Sequence, residues 1–254
     1  MPLSHVLFAL ALALPVQRAD LAPTGTLRAS FIDNNPVQGR VDAQTGAITG
    51  PGPDLVRELA RRLGVPYVIT PLPSAGAVLA SVRDGKVDIG FLAHEAARAT
   101  QVDFSAPYSL SGSAYLVRAN APYKTSADLD RNGLTIGGVT GQSPEVYVRE
   151  HVRLARIDSM PVVPSSATVG AMLLDGRLDA FAANRTRLQE IMSEVQGLRA
   201  LSDNFTVTTQ SIVVAKGSAA RLADVNRFLA EMRASGFVKA SLDRANLVGV
   251  EVAP

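Results

Sequence analysis

GPGPDLVRELARRLGVPYVIT, residues 50–70, is the stretch whose reading decides the fold. Within it Asp54–Leu63 places apolar residues at 55, 56, 59 and 63, the spacing of one face of a helix. Pro53 suits the first helical position, where its missing N–H is not needed, and Gly64 suits the stop. Glu58 stands four residues before Arg62 and adds surface support. Upstream, Leu27–Ile32 (LRASFI) reads as a short strand, followed by a polar, Gly- and Pro-rich segment running to Pro53. Downstream, Tyr67–Thr70 reads as a second strand, Ala75–Asp84 as a helix and Val87–Leu92 as a strand. Strands alternating with helices indicate a parallel sheet with crossover helices.

A second series of the same kind occupies the middle of the chain. Leu134–Val139, Ile157–Val162 and Ala180–Ala183 read as strands, and Pro144–His151, Thr168–Leu174 and Arg185–Val195 as helices. Two extended segments frame it: Ser113–Arg118 (SAYLVR) and Thr208–Ala215 (TTQSIVVA). Read as a pair of crossing strands, they send the chain out of a first lobe and back again, so that the helix Ala219–Ser235 returns to that lobe. The expected architecture is α/β, with two Rossmann-like lobes joined by a two-stranded hinge, a geometry suited to closing on a ligand. The expected boundaries are 23–112 and 208–254 for lobe one and 113–207 for lobe two.

The 254 residues are 47% apolar and 19% charged, an ordinary globular balance with enough apolar content for a sizeable core. Twenty-five Lys and Arg against 23 Asp and Glu leave a net charge of +2, interspersed in sign, which argues against nucleic acid as a partner. The absence of cysteine excludes disulfides, thiolate metal sites and thiol nucleophiles. Val6–Val16 (VLFALALALPV) is an apolar run of the length of a signal-peptide core and too short to span a bilayer. It predicts export through a leader of about residues 1–22, cleaved after Ala13, Ala19 or Ala22, and hence a periplasmic location.

The ordered segments GTLRASF (25–31), GPGPDLVRELARRLGV (50–65), SVRDGKVDIGFLA (81–93), ARATQVDFSAPY (97–108), DLDRNGLTIGGVTGQSPE (128–145) and LLDGRLDAFAAN (173–184) resemble the family 3 bacterial extracellular solute-binding proteins, the type II periplasmic binding proteins of polar amino acid ABC transporters. The most specific piece is Arg98 followed by Gln101–Tyr108 (QVDFSAPY). The resemblance implies a two-lobed protein that captures a small carboxylate-bearing ligand, an amino acid or related organic acid, and delivers it to an ABC transporter permease as a monomer. It implies no catalysis, no cofactor and no metal.

Residue by residue, the resemblance places Arg98 on the ligand carboxylate, a role that a permanently charged, forked guanidinium fills well. Gly141–Pro144, between a strand and a helix, would offer backbone amides and the Ser143 hydroxyl to the same anion, with Gln142 beside it. Ser143 before Pro144 also suits a helix N-cap. Ala93 stands where the family has a Ser or Thr, leaving only backbone to contribute. Asn184 stands where a carboxylate usually holds the ligand ammonium, and an amide does not supply that charge. Asn34, favoured over Asn35, and Ser74 fall near the positions of two stacking aromatic residues, so a more polar and roomier pocket is expected.

The resemblance leaves two alternatives, since the same fold is used by a secreted dehydratase and by extracellular sensor modules. His94 and Glu95 lack the second histidine of a zinc-protease helix, and Gly141–Glu145 fails the nucleophile-elbow pattern at its last position. A sensor would carry the same site, and the sequence does not separate that role from transport.

Overall fold

The computed structural model describes residues 18–33 and 35–254; the apolar run at Val6–Val16 and the expected ligand residue Asn34 lie outside the described residues. After a one-turn helix α1 (Arg18–Leu21), the first lobe is built from β1 (Leu27–Ile32), the small hairpin β2 (Arg40–Val41) and β3 (Ile48–Thr49), α2 (Pro51–Leu63), β4 (Tyr67–Leu72), α3 (Ala75–Arg83), β5 (Ile89–Ala93) and α4 (Ala96–Ala99). β1 pairs in parallel with β4 (Leu27 opposite Tyr67) and with β5 (Ala29 opposite Ile89), as the alternating pattern predicts.

α2 begins earlier than Pro53: its first residue is Pro51, with Gly50 in the capping position at φ 115°. The reason is tertiary. A Cβ on Gly52 would come within 2.9 Å of the Gln38 carbonyl, so only glycine lets the first turn pack against that loop. The helix ends as its sequence predicts. Gly64 adopts φ 64°, and the Val65 N–H bonds back to the Ala60 carbonyl at 3.1 Å.

The chain then runs through one long strand, β6 (Val102–Arg118), into the second lobe: β7 (Thr135–Val139), α5 (Ser143–His151), β8 (Arg156–Met160), α6 (Ser166–Leu174), β9 (Ala180–Asn184), α7 (Arg185–Glu194) and β10 (Leu198–Ala200). It returns along β11 (Thr206–Ala215) to α8 (Ala219–Ala234), α9 (Phe237–Arg244) and β12 (Val250–Val252). β7 is parallel to both β8 and β9, whereas β6 and β11 are antiparallel from Val102–Ala215 to Ser113–Thr206. The strand order β4-β1-β5-β11-β6-β9-β7-β8 places the two crossing strands at the centre.

β6 starts well before SAYLVR because VDFSAPY is also extended. Pro107, which cannot donate to a ladder, sits where the β6–β11 register shifts around Ser211. There the Ile212 N–H turns to the Ser105 hydroxyl at 3.0 Å. Asp103 accepts from the Gly217 N–H at 2.7 Å and pairs with Lys216 at 2.8 Å, fixing the far end of the same strand pair.

Each lobe has its own cores on both faces of its sheet. Phe31, Leu59, Phe91, Tyr108 and Phe228 fill one face of lobe one, and Val78, Val82, Leu92 and Val213 the other. In lobe two, successive residues of β6 divide between faces: Ala114 and Leu116 pack with Val169, Leu173 and Phe181, and Tyr115 and Val117 with Ile136 and Val148. Separately packed cores joined through two strands allow the lobes to move as rigid bodies. Leu21 and Ala22 are buried within the lobe-one core, and the Asp20 carbonyl accepts from Arg221 Nε at 2.7 Å.

Candidate functional site

β5 ends at Ala93, and the single turn of α4 brings Arg98 back toward it at the edge of the interlobe cleft. The guanidinium is buried, with 8% of the residue exposed. Its Nη1 donates to the Ala93 carbonyl at 2.7 Å, and its Nη2 donates across the cleft to the Gly141 carbonyl of lobe two. Burial pulls the Arg98 pKa below the usual arginine value, with the nearby Glu95 carboxylate acting in the opposite direction. Both acceptors are neutral carbonyls, so the positive charge is hydrogen-bonded without being balanced by a bonded carboxylate. Such a group is a strong attractor for an anion.

Arg98, Ala93, Gln142, Ser143 and Asn184, all singled out in the sequence, line one cavity, together with Asn35, Gln38, Ser111, Ser113, Thr208 and Gln210. Its free volume is about 20 Å³, enough for roughly one water, so a solute enters only as the lobes part. Asn35, Gln142 and Asn184 also line a neighbouring hollow that reaches Phe181 and Arg187. Ser74 is elsewhere: its hydroxyl caps α3 by accepting from the Ala77 N–H at 3.1 Å, and it is not among the lining residues.

At the N-terminus of α5 the structure corrects two expectations. The capping position is held by Gln142, and Ser143 is the first helical residue. Its hydroxyl is buried and has no hydrogen-bond partner. The Gly141 and Gln142 amides are committed within lobe two, to Glu145 Oε2 and to the Val139 carbonyl, each at 3.0 Å. What this turn presents to the cleft is therefore the Ser143 hydroxyl together with the positive end of α5.

Asn184 closes β9 and caps α7, its Oδ1 accepting from the Arg187 N–H at 2.9 Å. Gln38 Oε1 accepts from the Ile32 N–H at 3.0 Å, and Gln38 Nε2 donates to Gln210 Oε1 at 3.4 Å. The side-chain oxygens of Asn35, Ser111 and Ser143 are buried with no partner. Three orphaned polar atoms in one cleft mark a surface built for a polar guest, since buried polar groups are otherwise paired.

Ser111 and Ser113 on β6, and Thr208 and Gln210 on β11, are polar residues two apart, the spacing that puts both on one face of a strand and the only sequence signal these positions carry. A more open cavity of about 710 Å³ lies between α7 and α9. Its charges are matched among themselves, Arg40 with Glu190 and Arg244 with Asp54. Among the described residues no cluster of three or more His, Asp or Glu is placed to hold a metal ion, and no helix is long and apolar enough to cross a membrane.

The model of the bacterial extracellular solute-binding proteins, family 3, matches residues 29–245. The chain belongs to that family. As a family 3 solute-binding protein it is 28% identical over 200 residues to the L-cystine-binding protein TcyJ of Escherichia coli K12, spanning 77% of this chain and 73% of the relative. Among solved structures, a mutant of ArgBP from T. maritima superimposes with a TM-score of 0.76 at 23% identity, covering 90% of this chain and 98% of the other. The amino acid ABC transporter substrate-binding protein AbpA of Streptococcus pneumoniae, solved bound to L-arginine, gives a TM-score of 0.75 at 21% identity, covering 89% and 96%. These likenesses establish the type II periplasmic binding protein fold, two α/β lobes about a pair of hinge strands.

Proposed function

We propose that this solute-binding protein captures a small carboxylate-bearing solute, an amino acid or related organic acid, between its lobes and hands it to an ABC transporter permease without altering it. The observation that carries the reading is Arg98: a buried guanidinium bonded only to carbonyls, facing the N-terminus of α5 across a cleft lined with unpaired polar atoms. Lobe one, taken as 23–112 and 208–254, captures the anion in the open state. Lobe two, 113–207, closes over it with Ser143 and Asn184. That TcyJ binds L-cystine and AbpA L-arginine supports an amino acid or a relative of one as the solute.

The chain reaches the periplasm through the leader formed by the Val6–Val16 run. Because Leu21 and Ala22 are core residues of lobe one, a leader ending at Ala13 or Ala19 leaves the lobe intact, whereas one ending at Ala22 removes Leu21 from its core. The function is tested by a thermal-shift screen of the chain from Asp20, unfolded and refolded, against amino acids, their amides and small carboxylic acids. A solute at a hundred times its dissociation constant adds about 2.7 kcal/mol of stability, a shift of a few degrees. The expected result is a hit whose shift Arg98→Ala largely removes; hits indifferent to Arg98 would reject the site.

A further inference from the structure

We infer that the cleft selects carboxylates whose second polar group is uncharged, such as 2-hydroxy acids or N-acylated amino acids, over α-amino acids with a free ammonium. This rests on the carboxylate reading above and narrows it.

The argument is one of charge and of which lone pairs remain. Among the described residues, those lining the cavity at Arg98 and the adjoining hollow include two cations, Arg98 and Arg187, and no Asp or Glu. An ammonium enclosed there meets no counter-charge and loses its water, a cost that neutral hydrogen bonds do not recover. The nearby acids are directed elsewhere. Glu145 is buried behind the 141–143 turn, its two oxygens taken by the Gly141 N–H at 3.0 Å and the Ser159 hydroxyl at 2.6 Å. Glu190 pairs with Arg40 and, at 3.3 Å, with Arg187. Glu95 and Glu150 line an adjoining opening beside His94 that meets the cavity at Ser143 and Thr208; there Glu95 acts on the Arg98 guanidinium, and Glu150 is exposed with its charge screened. Asp33 is not among the lining residues of either space.

The amides point the same way. The side-chain oxygens of Asn184, Gln38 and Gln210 already accept protein hydrogens, at 2.9, 3.0 and 3.4 Å. Each of these oxygens has one of its two lone pairs engaged, while the Asn184 and Gln210 NH₂ groups make no hydrogen bond among the described residues, and an NH₂ group donates only. Such donors repel an ammonium and suit a hydroxyl, carbonyl or second carboxylate oxygen. Among the described residues Asn35 Oδ1 is an amide acceptor with no partner at all, buried to nine-tenths. A single hydroxyl or amide N–H satisfies it; an ammonium brings three donors and a charge.

The test is isothermal calorimetry on the refolded chain with the proteinogenic α-amino acids, their 2-hydroxy analogues and their N-acetyl derivatives, repeated for each hit with Arg98→Ala. The inference expects a 2-hydroxy or N-acetyl acid to bind at least about tenfold more tightly than the amino acid of the same side chain, with binding lost in Arg98→Ala. Amino acids binding equally well or better, still dependent on Arg98, would overturn this inference and leave the carboxylate reading standing. No binding across the panel, or binding indifferent to Arg98, would overturn both. Asn184→Asp supplies a second arm, because aspartate caps a helix as well as asparagine and the fold is retained. It is expected to shift the ratio by about tenfold toward the amino acid, and an unchanged ratio would remove Asn184 from the discrimination.

Discussion

The two faces of the cleft are built on opposite principles. Lobe one contributes a charge, Arg98, held by the carbonyl of its own β5 and bonded to no carboxylate. Lobe two contributes neutral groups, Ser143 and Asn184, at the starts of α5 and α7, where backbone dipoles add a diffuse positive potential. The difference teaches a division of labour. A fixed charge attracts an anion at long range and acts before closure, whereas hydroxyls and amides work only at hydrogen-bond distance and so act once the lobes meet. On the proposed reading it also separates residues that bind from residues that hold the fold: Asn184, which caps α7, would do both, while the Ser143 hydroxyl, unpaired, contributes no side-chain bond to the resting structure.

Four variants sharpen or break this comparison. Arg98→Ala is expected to have the largest effect, weakening solute binding by about 2–3 kcal/mol, roughly 30- to 160-fold by calorimetry, because a charge-assisted contact disappears. A loss no greater than that of a lobe-two variant would erase the asymmetry. Asn184→Ala should lower stability by about 1 kcal/mol in urea titration through loss of the α7 cap, in addition to weakening binding. Ser143→Ala should weaken binding yet leave stability within about 0.5 kcal/mol, since no native bond is broken. A marked destabilisation would mean that its hydroxyl is paired after all.

The smallest effect lies on the outer surface of lobe one, far from the cleft. Glu58 accepts from Arg61 and Arg62 at 2.8 Å, and the Arg61 hydrogen bond leads in lowering its pKa from 4.5 to about 2. A depressed carboxylate stabilises the fold above its unfolded pKa and loses that contribution as pH falls from about 4.5 toward 2. The stability difference between the native chain and Glu58→Gln, under about 1 kcal/mol at pH 7, should therefore shrink across that window, with Arg98-dependent binding above it unaffected.

Much of this was legible in order. The α2 periodicity, the second α/β series and the extended segments around 113 and 208 follow from side-chain spacing, which folding does not rearrange. Arg98, Gln142, Ser143 and Asn184 were legible as candidates through the family resemblance that their flanking motifs carry, and each lies at or shortly beyond the end of a strand. Gln38, Ser111 and Gln210 were not, since residues so distant become neighbours only through the β6–β11 pairing and the packing of the 35–39 turn. The early start of α2 was likewise hidden, being set by the approach of Gln38 to Gly52.

By itself, then, the sequence determined the alternation of elements and the export-like apolar run, both properties of local pattern, while the family resemblance singled out Arg98. Only the tertiary structure decided which atoms of the site residues remain free. It engaged one lone pair of each of the Asn184, Gln38 and Gln210 oxygens with protein hydrogens and the Gly141 amide with Glu145, and left the side-chain oxygens of Asn35, Ser111 and Ser143 unpaired. The physical reason is that a hydrogen bond saturates: whether a group is available to a guest depends on every donor and acceptor brought within about 3 Å of it, and that neighbourhood exists only in the folded chain.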